Sequence, residues 1–348
     1  MKDDISLENQ IQSIWNSIEG FHVIYFIYTG YELDLFNIIK SFGDKGASPN
    51  LLSEKKLLHH PYIEKWCNSG IAWKILDILD NDNIILAPHM DAILTKKGDP
   101  RFLLPYIKSC VDHFGPDMKS HSDYYKNGKT YTFQEHSHNF SNDIGSITEG
   151  LQTLITNKII PNNKEINDIL MHGGSLLDFG CGTAKLLTKL SNRYPKTLFY
   201  GLDIDKNGIK IANDKIKKEN KLDFIKIYDG NSTLLPDNDS VDIITMVEVF
   251  HEISKNIRPI VLSQVHKYLK PNGILLILDE TMPNKENLRH NNAQLAVLTQ
   301  YNEMTWGNEV PTKLEQDNLL LNAGFLLPER KIIGGLFTLL ICKQKENN

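Results

Sequence analysis

The chain has 348 residues, of which 41% are hydrophobic and 23% charged, and its 38 Lys and Arg against 43 Asp and Glu leave a net charge of −5. That length admits two domains, each with a core, and the acidic balance argues against a general attraction to nucleic acid or to anionic membrane. Cys67, Cys110, Cys181 and Cys342 lie scattered with no C-x-x-C spacing. This pattern predicts a reducing cytoplasmic setting, no disulfide framework and no cysteine zinc site. The opening MKDDISLENQ is acidic and polar, unlike a secretory leader, and the apolar run Phe21–Tyr28 is too short to cross a bilayer.

Residues up to about 97 read as mainly helical. Apolar stripes at helical spacing cover Ile11–Ile18 and Phe21–Ile39, the second with Gly30 inside it. Ser48-Pro49 opens a further helix, and Ile63–Leu79 continues the pattern. A turn at Asn81-Asp82-Asn83 leads to Ile84–Leu86, and Ala92–Thr95 follows after a polar break. Helices followed by a small hairpin predict a winged-helix arrangement. Pro100–His113 reads as a connecting helix, Asp117–Asn142 as a loop-rich crossing, and Ile147–Ile160 as a helix ending at Pro161. His113, His121, His136 and His138 fall in or beside that crossing, but no i, i+4 pair or carboxylate cluster accompanies them. They read as solvated loop residues, and no metal is expected.

From residue 166 onward strands and helices alternate. The strands are expected at Leu176–Phe179, Phe199–Ile204, Phe224–Tyr228, Val241–Val247 and Ile274–Leu278, with a late hairpin at Lys331–Ile333 and Phe337–Cys342 about Gly334-Gly335. This alternation predicts a doubly wound parallel sheet with an antiparallel edge.

The most informative stretch is Leu176–Leu186, LLDFGCGTAKL, a strand that runs through Gly180-Cys181-Gly182 into a helix. Such a turn gathers backbone N–H groups at a helix start, which suits a nucleotide-like ligand. Asp203 ends the next strand 21 residues after Gly182, where a carboxylate can accept from both hydroxyls of a ribose. The third glycine of the dinucleotide fingerprint is Ala184, and Asp178 stands inside the motif. Both features disfavour NAD, since a carboxylate repels a pyrophosphate and attracts a cation.

At these residues the chain resembles the class I S-adenosylmethionine-dependent methyltransferases, whose D/E-x-G-x-G signature matches Asp178, Gly180 and Gly182. The resemblance implies a seven-stranded Rossmann-like domain that binds S-adenosyl-L-methionine. Cys181, Asp203 and Ile204 would lie around the cofactor, with Asp229 and Gly230 near its adenine and Glu248 after the fourth strand. Leu269-Lys270-Pro271-Asn272-Gly273 resembles a structural turn of the same enzymes.

The segment Asp242–His251 resembles the plant-type small-molecule O-methyltransferases, in which a histidine lies nine residues after a strand aspartate. Glu252, Ile253 and Ser254 follow it here; the histidine and serine match, the acid is changed and the tryptophan is lost. The resemblance implies that His251 is the general base and that acidic partners hold it: Glu280, with Asp279 the alternative, and Glu309 before the helix that ends at Ala323-Gly324-Phe325. Chemically, an imidazole at a strand end suits proton removal. Tyr301, Met304 and Trp306 are candidate lining residues of an apolar acceptor pocket.

The expected organisation is a winged-helix-like dimerisation domain at 1–98, a helical linker and cleft cover at 99–165, and the methyltransferase domain at 166–348. The expected activity is methylation, of oxygen by resemblance, on a small-molecule acceptor by a cytoplasmic homodimer. Two alternatives stay open: a cofactor-sensing winged-helix regulator, and a protein or nucleic-acid methyltransferase. Residues 1–98 hold nine Lys and thirteen Asp or Glu, a poor surface for DNA.

Overall fold

The computed structural model describes residues 6–232 and 237–345, and the chain divides into two compact units, residues 1–117 and 118–348. The first five residues of the acidic opening lie outside the described residues.

In the first unit a single helix, Leu7–Glu32, replaces the two expected stripes, opened by Ser6, whose Oγ accepts the Asn9 N–H at 3.2 Å. It stops at Asp34, whose φ of 61° breaks the helical path, and Leu35–Ser41 forms a separate helix. Helices Pro49–Lys56 and His60–Ala72 follow. The hairpin differs in register from expectation. Its strands are β1, Leu76–Ile78, and β2, Ile84–Leu86, paired antiparallel, while Met90–Leu94 is helical. The apolar run continuing from Ile63 hid a turn after Ala72, because helix and strand periods are hard to separate in a short run. Phe26 stacks on Trp66 with ring centroids 4.6 Å apart, and Leu35, Phe36, Leu52 and Leu76 close the core around them.

The second unit is an α/β layer structure. Its first part, expected as loop, is helical at His121–Asn127 and His138–Ile147, with a Thr132–Glu135 capping box between them. The polar composition of this stretch concealed helices stabilised by caps and by one buried Phe140. A seven-stranded mixed sheet follows, formed by β3 (Ser175–Phe179), β4 (Leu198–Asp203), β5 (Ile225–Asp229), β6 (Val241–Val247), β7 (Leu269–Asp279), β8 (Glu329–Ile333) and β9 (Phe337–Lys343). The spatial order is β5-β4-β3-β6-β7-β9-β8; β5 to β7 run parallel, and β9 is antiparallel to both β7 and β8. The Pro271-Asn272 turn lies within the span of β7, with Asn272 at φ 66°.

Both sheet faces are buried, which is why the central strands read as unbroken apolar runs. Leu176, Ile243 and Leu276 pack on one side with Leu186 and Leu190, and Leu177, Ile244 and Leu275 on the other with Leu262 and Leu320. The chain direction across the sheet reverses between β3 and β6. Ligands of open α/β sheets enter the crevice at the carboxyl ends of the strands on either side of such a switch point.

Candidate active site

Four loops leave the carboxyl ends of β3, β4, β6 and β7 at this crevice. The loop after β3 is the glycine turn. Gly180 has φ 76°, and a side chain there would overlap Val249; Gly182 has φ 48° and open space where a Cβ would stand. Ala184, in place of the third glycine, is also left-handed at φ 55° and fully buried. Such a conformation disfavours a residue with a Cβ by about 1 kcal/mol. The Gly182 N–H donates to Asp203 Oδ2 at 2.7 Å, and the Asp205 N–H donates to Asp203 Oδ1 at 2.8 Å. Each carboxylate oxygen keeps a further lone pair for a ligand hydroxyl. Asp205 is occupied otherwise: its carboxylate caps the helix Lys206–Lys218 through the N–H groups of Asn207 and Gly208.

Two hollows meet over this turn and share Phe133, Gly180, Val249 and Glu252. One, of 610 Å³, is lined by Asp178, Gly182 and Glu248; the other, of 950 Å³, by Asp203, Ile204, Ile257 and Trp306. Among the described residues no Lys or Arg lines either. Carboxylates, apolar walls and open glycine backbone fit a cationic nucleoside such as S-adenosylmethionine and do not fit a pyrophosphate. Asp178 is 4% exposed and accepts from Thr245 Oγ1 at 2.7 Å; burial, against that bond, pushes its carboxyl up to about 7. Cys181 is buried beneath the turn, and burial raises its thiol well above the ordinary range. Asp229 sits opposite Asp203 in the strand register, but its Oδ1 accepts from Asn231 N and Nδ2, and neither Asp229 nor Gly230 lines the two hollows.

The loop after β6 brings Glu248, His251 and Glu252. Glu248 is held at φ 56°, a strained geometry that for a non-glycine residue often marks a functional site. His251 is 2% exposed. Its Nδ1 lies 2.7 Å from Asp279 Oδ1 and 3.4 Å from Glu280 Oε2, and its Nε2 lies 3.2 Å from Glu303 Oε2. Asp279 does more than meet the ring. Its Oδ2 also accepts from the backbone N–H groups of Phe250 and His251 at 2.7 and 3.2 Å. Arg258, 1% exposed, donates to the carbonyls of Ile253, His251 and Glu309 and so fixes the loop from below.

Burial opposes a charge on His251, yet Asp279, Glu280 and Glu303 outweigh it and hold the ring well above the ordinary histidine range. Burial, reinforced by Asp279, raises Glu280 to about 7 against the attraction of His251. Burial and then like charge raise Glu248 and Glu252 as well.

Asp279, named as the alternative, is the direct partner of His251, and Glu280 stands beside it. Glu309 does not join them: its carboxylate pairs with Lys255 at 2.7 Å, and only its backbone N–H reaches the His251 carbonyl, at 3.3 Å. The helix containing Glu303 turns at Met304–Trp306, so the acid one step earlier faces the ring. Glu303 carried no motif; its one signal was its position between Tyr301 and Met304. Of those neighbours, Trp306 lines a hollow, Tyr301 is half exposed against His121, and Met304 receives the Tyr125 hydroxyl. His136 stacks on Phe140 and His121 is buried against Tyr125, so these two are packing residues rather than solvated ones. His251, Asp279 and Glu280 place three donor atoms within 4.8 Å of one another, and so do His251, Glu252 and Glu303.

Residues 177–275 match the family model described as a methyltransferase domain. Over these residues the chain carries a methyltransferase domain. Among curated relatives, the demethylmenaquinone methyltransferase of Geobacillus stearothermophilus is 32% identical over 113 residues, which is 32% of this chain and 47% of that protein. The chain therefore spans about half of that relative's length. Among solved structures, human N-acetylserotonin methyltransferase in complex with SAM superposes with a TM-score of 0.78 at 14% identity, covering 99% of this chain and 100% of that one. The N,N-8-amino-8-demethyl-D-riboflavin dimethyltransferase of Streptomyces davawensis gives 0.64 at 15% identity, covering 96% and 99%. At such identities the likeness is one of fold. Among the described residues no helix is long and apolar enough to cross a membrane.

Proposed function

We propose that this protein transfers the methyl group of S-adenosylmethionine to a small-molecule acceptor, with His251 managing the acceptor's proton. The observation that carries this reading is a buried imidazole, held through Nδ1 by Asp279, at the strand ends that also form the glycine turn. S-adenosylmethionine supplies an electrophilic methyl group on a positively charged sulfur. Asp203 would hold the ribose hydroxyls, Asp178 and Glu248 would face the cationic end, and the Gly180–Gly182 backbone with Cys181 would form the floor. Ile204 would give the adenine an apolar wall.

In its neutral form His251 directs the Nδ1 proton to Asp279, so the proton-accepting position is Nε2, beside Glu303 at 3.2 Å. Nε2 takes the acceptor's proton, and Glu303 and Glu280 stabilise the imidazolium that results. The rest of the catalytic effect is orientation within the cleft. The expectation of an oxygen acceptor comes from resemblance; the fold neighbours named above act, by their names, on N-acetylserotonin and on an amino-riboflavin.

The first unit supports a winged-helix reading through its helices and antiparallel hairpin. Leu7, Ile14, Trp15 and Phe21 are each 60% exposed or more on one helix, so a second copy is the proposed partner there. The buried Phe26 and Phe36 keep most of the Phe21–Ile39 stripe out of this proposed interface, which lies toward the amino end of the helix. The charge balance and free cysteines support a cytoplasmic setting without nucleic acid.

Calorimetry should show S-adenosylhomocysteine binding in the micromolar range, roughly −8 kcal/mol. With methyl-labelled S-adenosylmethionine and a cell extract, the label should appear in low-mass products. Label in protein or nucleic acid would favour a macromolecular methyltransferase, and no binding of either cofactor form would end the reading.

A further inference from the structure

We propose that Asp178 lets the hollow over the glycine turn tell S-adenosylmethionine from S-adenosylhomocysteine by charge, its carboxyl giving up a proton to hold the sulfonium form and taking one back once the methyl group has left. The inference deepens the methyltransferase reading above and rests on it. It gives Asp178 a role separate from the proton handling at His251.

The geometry begins in the sheet. β3 runs between β4 and β6, and Asp178 stands opposite Gly201 on one side and Thr245 on the other. Gly201 offers no side chain, and the Thr245 hydroxyl donates to Asp178 Oδ1 at 2.7 Å. Asp178 is 4% exposed, yet it lines the 610 Å³ hollow. A carboxylate so placed meets an opposite charge only through what fills that hollow.

The titratable groups around it carry one sign. Asp203 ends β4, and Glu248 and Glu252, after β6, line the same hollow. Cys181 and the helix-capping Asp205 complete the titratable groups of that wall among the described residues. The cover, helix His138–Ile147 and helix Glu149–Leu154, contributes Ser141, Thr148 and Gln152, none of them titratable. Lys185, three residues past Gly182, is turned elsewhere: its Nζ meets Ser146 at 2.7 Å and Glu149 at 3.5 Å. Glu248 Oε1 has no hydrogen-bond partner among the described residues, so this wall is short of donors as well as of cations. A buried carboxylate among like charges stays ionised only beside a cation. Burial, with Asp203 adding to it against the Thr245 bond, raises the Asp178 carboxyl to about 7.

Charge balance separates the two cofactor forms. In methyl transfer the bond from acceptor to carbon forms as the S–C bond breaks. The electron pair of the S–C bond returns to sulfur, which becomes a neutral thioether, and the hollow loses one positive charge. The amino and carboxyl groups of the ligand are the same before and after. At an effective dielectric of about 20, a unit charge within about 6 Å changes a carboxyl equilibrium by more than tenfold. Asp178 therefore ionises beside the sulfonium and takes a proton from solvent beside the thioether. The acceptor's own proton passes to His251 and is counted apart.

The test is calorimetry of both ligands on the full chain at pH 6.5, in two buffers of unlike ionisation enthalpy, which counts the protons exchanged on binding. At that pH an α-amino group of ordinary value, about 7.7 to 8.0, keeps its proton in either ligand. S-adenosylmethionine should release at least about 0.5 proton more than S-adenosylhomocysteine, and its relative affinity should rise about threefold or more per pH unit. In Asp178→Asn both differences should vanish. At pH 8 that variant should bind S-adenosylmethionine at least about tenfold more weakly, while its S-adenosylhomocysteine affinity changes by less than about threefold and so reports that it folds. Equal proton counts for the two ligands in the parent protein would overturn the proposal. So would a difference that persists in Asp178→Asn, which would put the proton on Glu248 or Glu252, and so would an equal loss of both ligands, which would leave Asp178 a shaping role only. Failure of both ligands to bind the parent protein would instead bring down the methyltransferase reading.

Discussion

The glycine turn after β3 and the histidine cluster after β6 lie at the same edge of one sheet, yet they are made differently. The turn is built by one contiguous segment and by backbone: positive φ at Gly180 and Gly182, and an N–H aimed at Asp203. The cluster is built by side chains from three places, His251 and Glu252 after β6, Asp279 and Glu280 at the end of β7, and Glu303 at the end of a helix. Backbone geometry of that kind suits many nucleotide-like cofactors. A cluster of side chains can be retuned one residue at a time, which suits the acceptor side of the proposed reaction. The two regions also differ in charge. Asp178 and Asp203 are satisfied by Thr245 and by backbone N–H groups, whereas Glu248 Oε1 and Glu280 Oε2, at the ends of β6 and β7, have no hydrogen-bond partner among the described residues.

The largest expected effect separates the two regions. His251→Ala should lower methyl transfer by about a hundredfold or more and leave S-adenosylhomocysteine affinity unchanged. A parallel loss of affinity would merge the regions into one. The pH profile sharpens the same point. Because the ring is held above the ordinary histidine range, kcat/KM should rise with pH to a midpoint above 6.5, and His251→Ala should lose that limb. In the folding balance the sign is opposite. The stability contributed by the raised ring is complete below its unfolded value and is lost as pH rises through its folded value.

The next effect concerns stability within the turn. Asp178 is raised to about 7, so the folded state is favoured by its neutral form, and that stabilisation is lost as pH climbs from the ordinary carboxyl range to about 7. Asp178→Asn should therefore stabilise the ligand-free protein by about 2 kcal/mol at pH 8 and by less toward pH 4, while weakening cofactor binding. Denaturant melts at the two pH values read this directly; equal stability in variant and parent at pH 8 would show that Asp178 is not under strain.

Asp203→Ala should cost roughly thirtyfold in S-adenosylhomocysteine affinity, about 1 kcal/mol for each of the two hydroxyl contacts, with a lower Tm from the lost Gly182 bond. A lower Tm at unchanged affinity would confine Asp203 to shaping the turn. The smallest effect is the control. Glu309→Ala removes a half-exposed carboxylate paired with Lys255, and should change kcat/KM by less than about twofold. A larger drop would mean that the Glu309 backbone, which Arg258 and His251 both contact, moves with its side chain.

The sequence by itself determined the sheet and the cofactor end. Unbroken apolar runs forced strands buried on both faces, and Gly180 and Gly182 permit a turn that few other residues could form, so local chemistry and global fold agree there. Asp203 followed because the next parallel strand must end beside that turn. The resemblance singles out His251 by its spacing from Asp242. Only the tertiary structure decided which acids meet it. Asp279, the last residue of β7, meets Nδ1 at 2.7 Å, and Glu280, the next residue, stands beside it at 3.4 Å. Glu303 rather than Glu309 reaches Nε2 because the chain turns at Met304–Trp306 and carries Glu309 outward to Lys255. In the first unit the apolar run from Ile63 concealed a helix end and a strand, since short apolar segments satisfy both periods. Contacts made by backbone within one segment leave a pattern in the sequence; contacts between side chains brought together from distant segments leave none until the chain has folded.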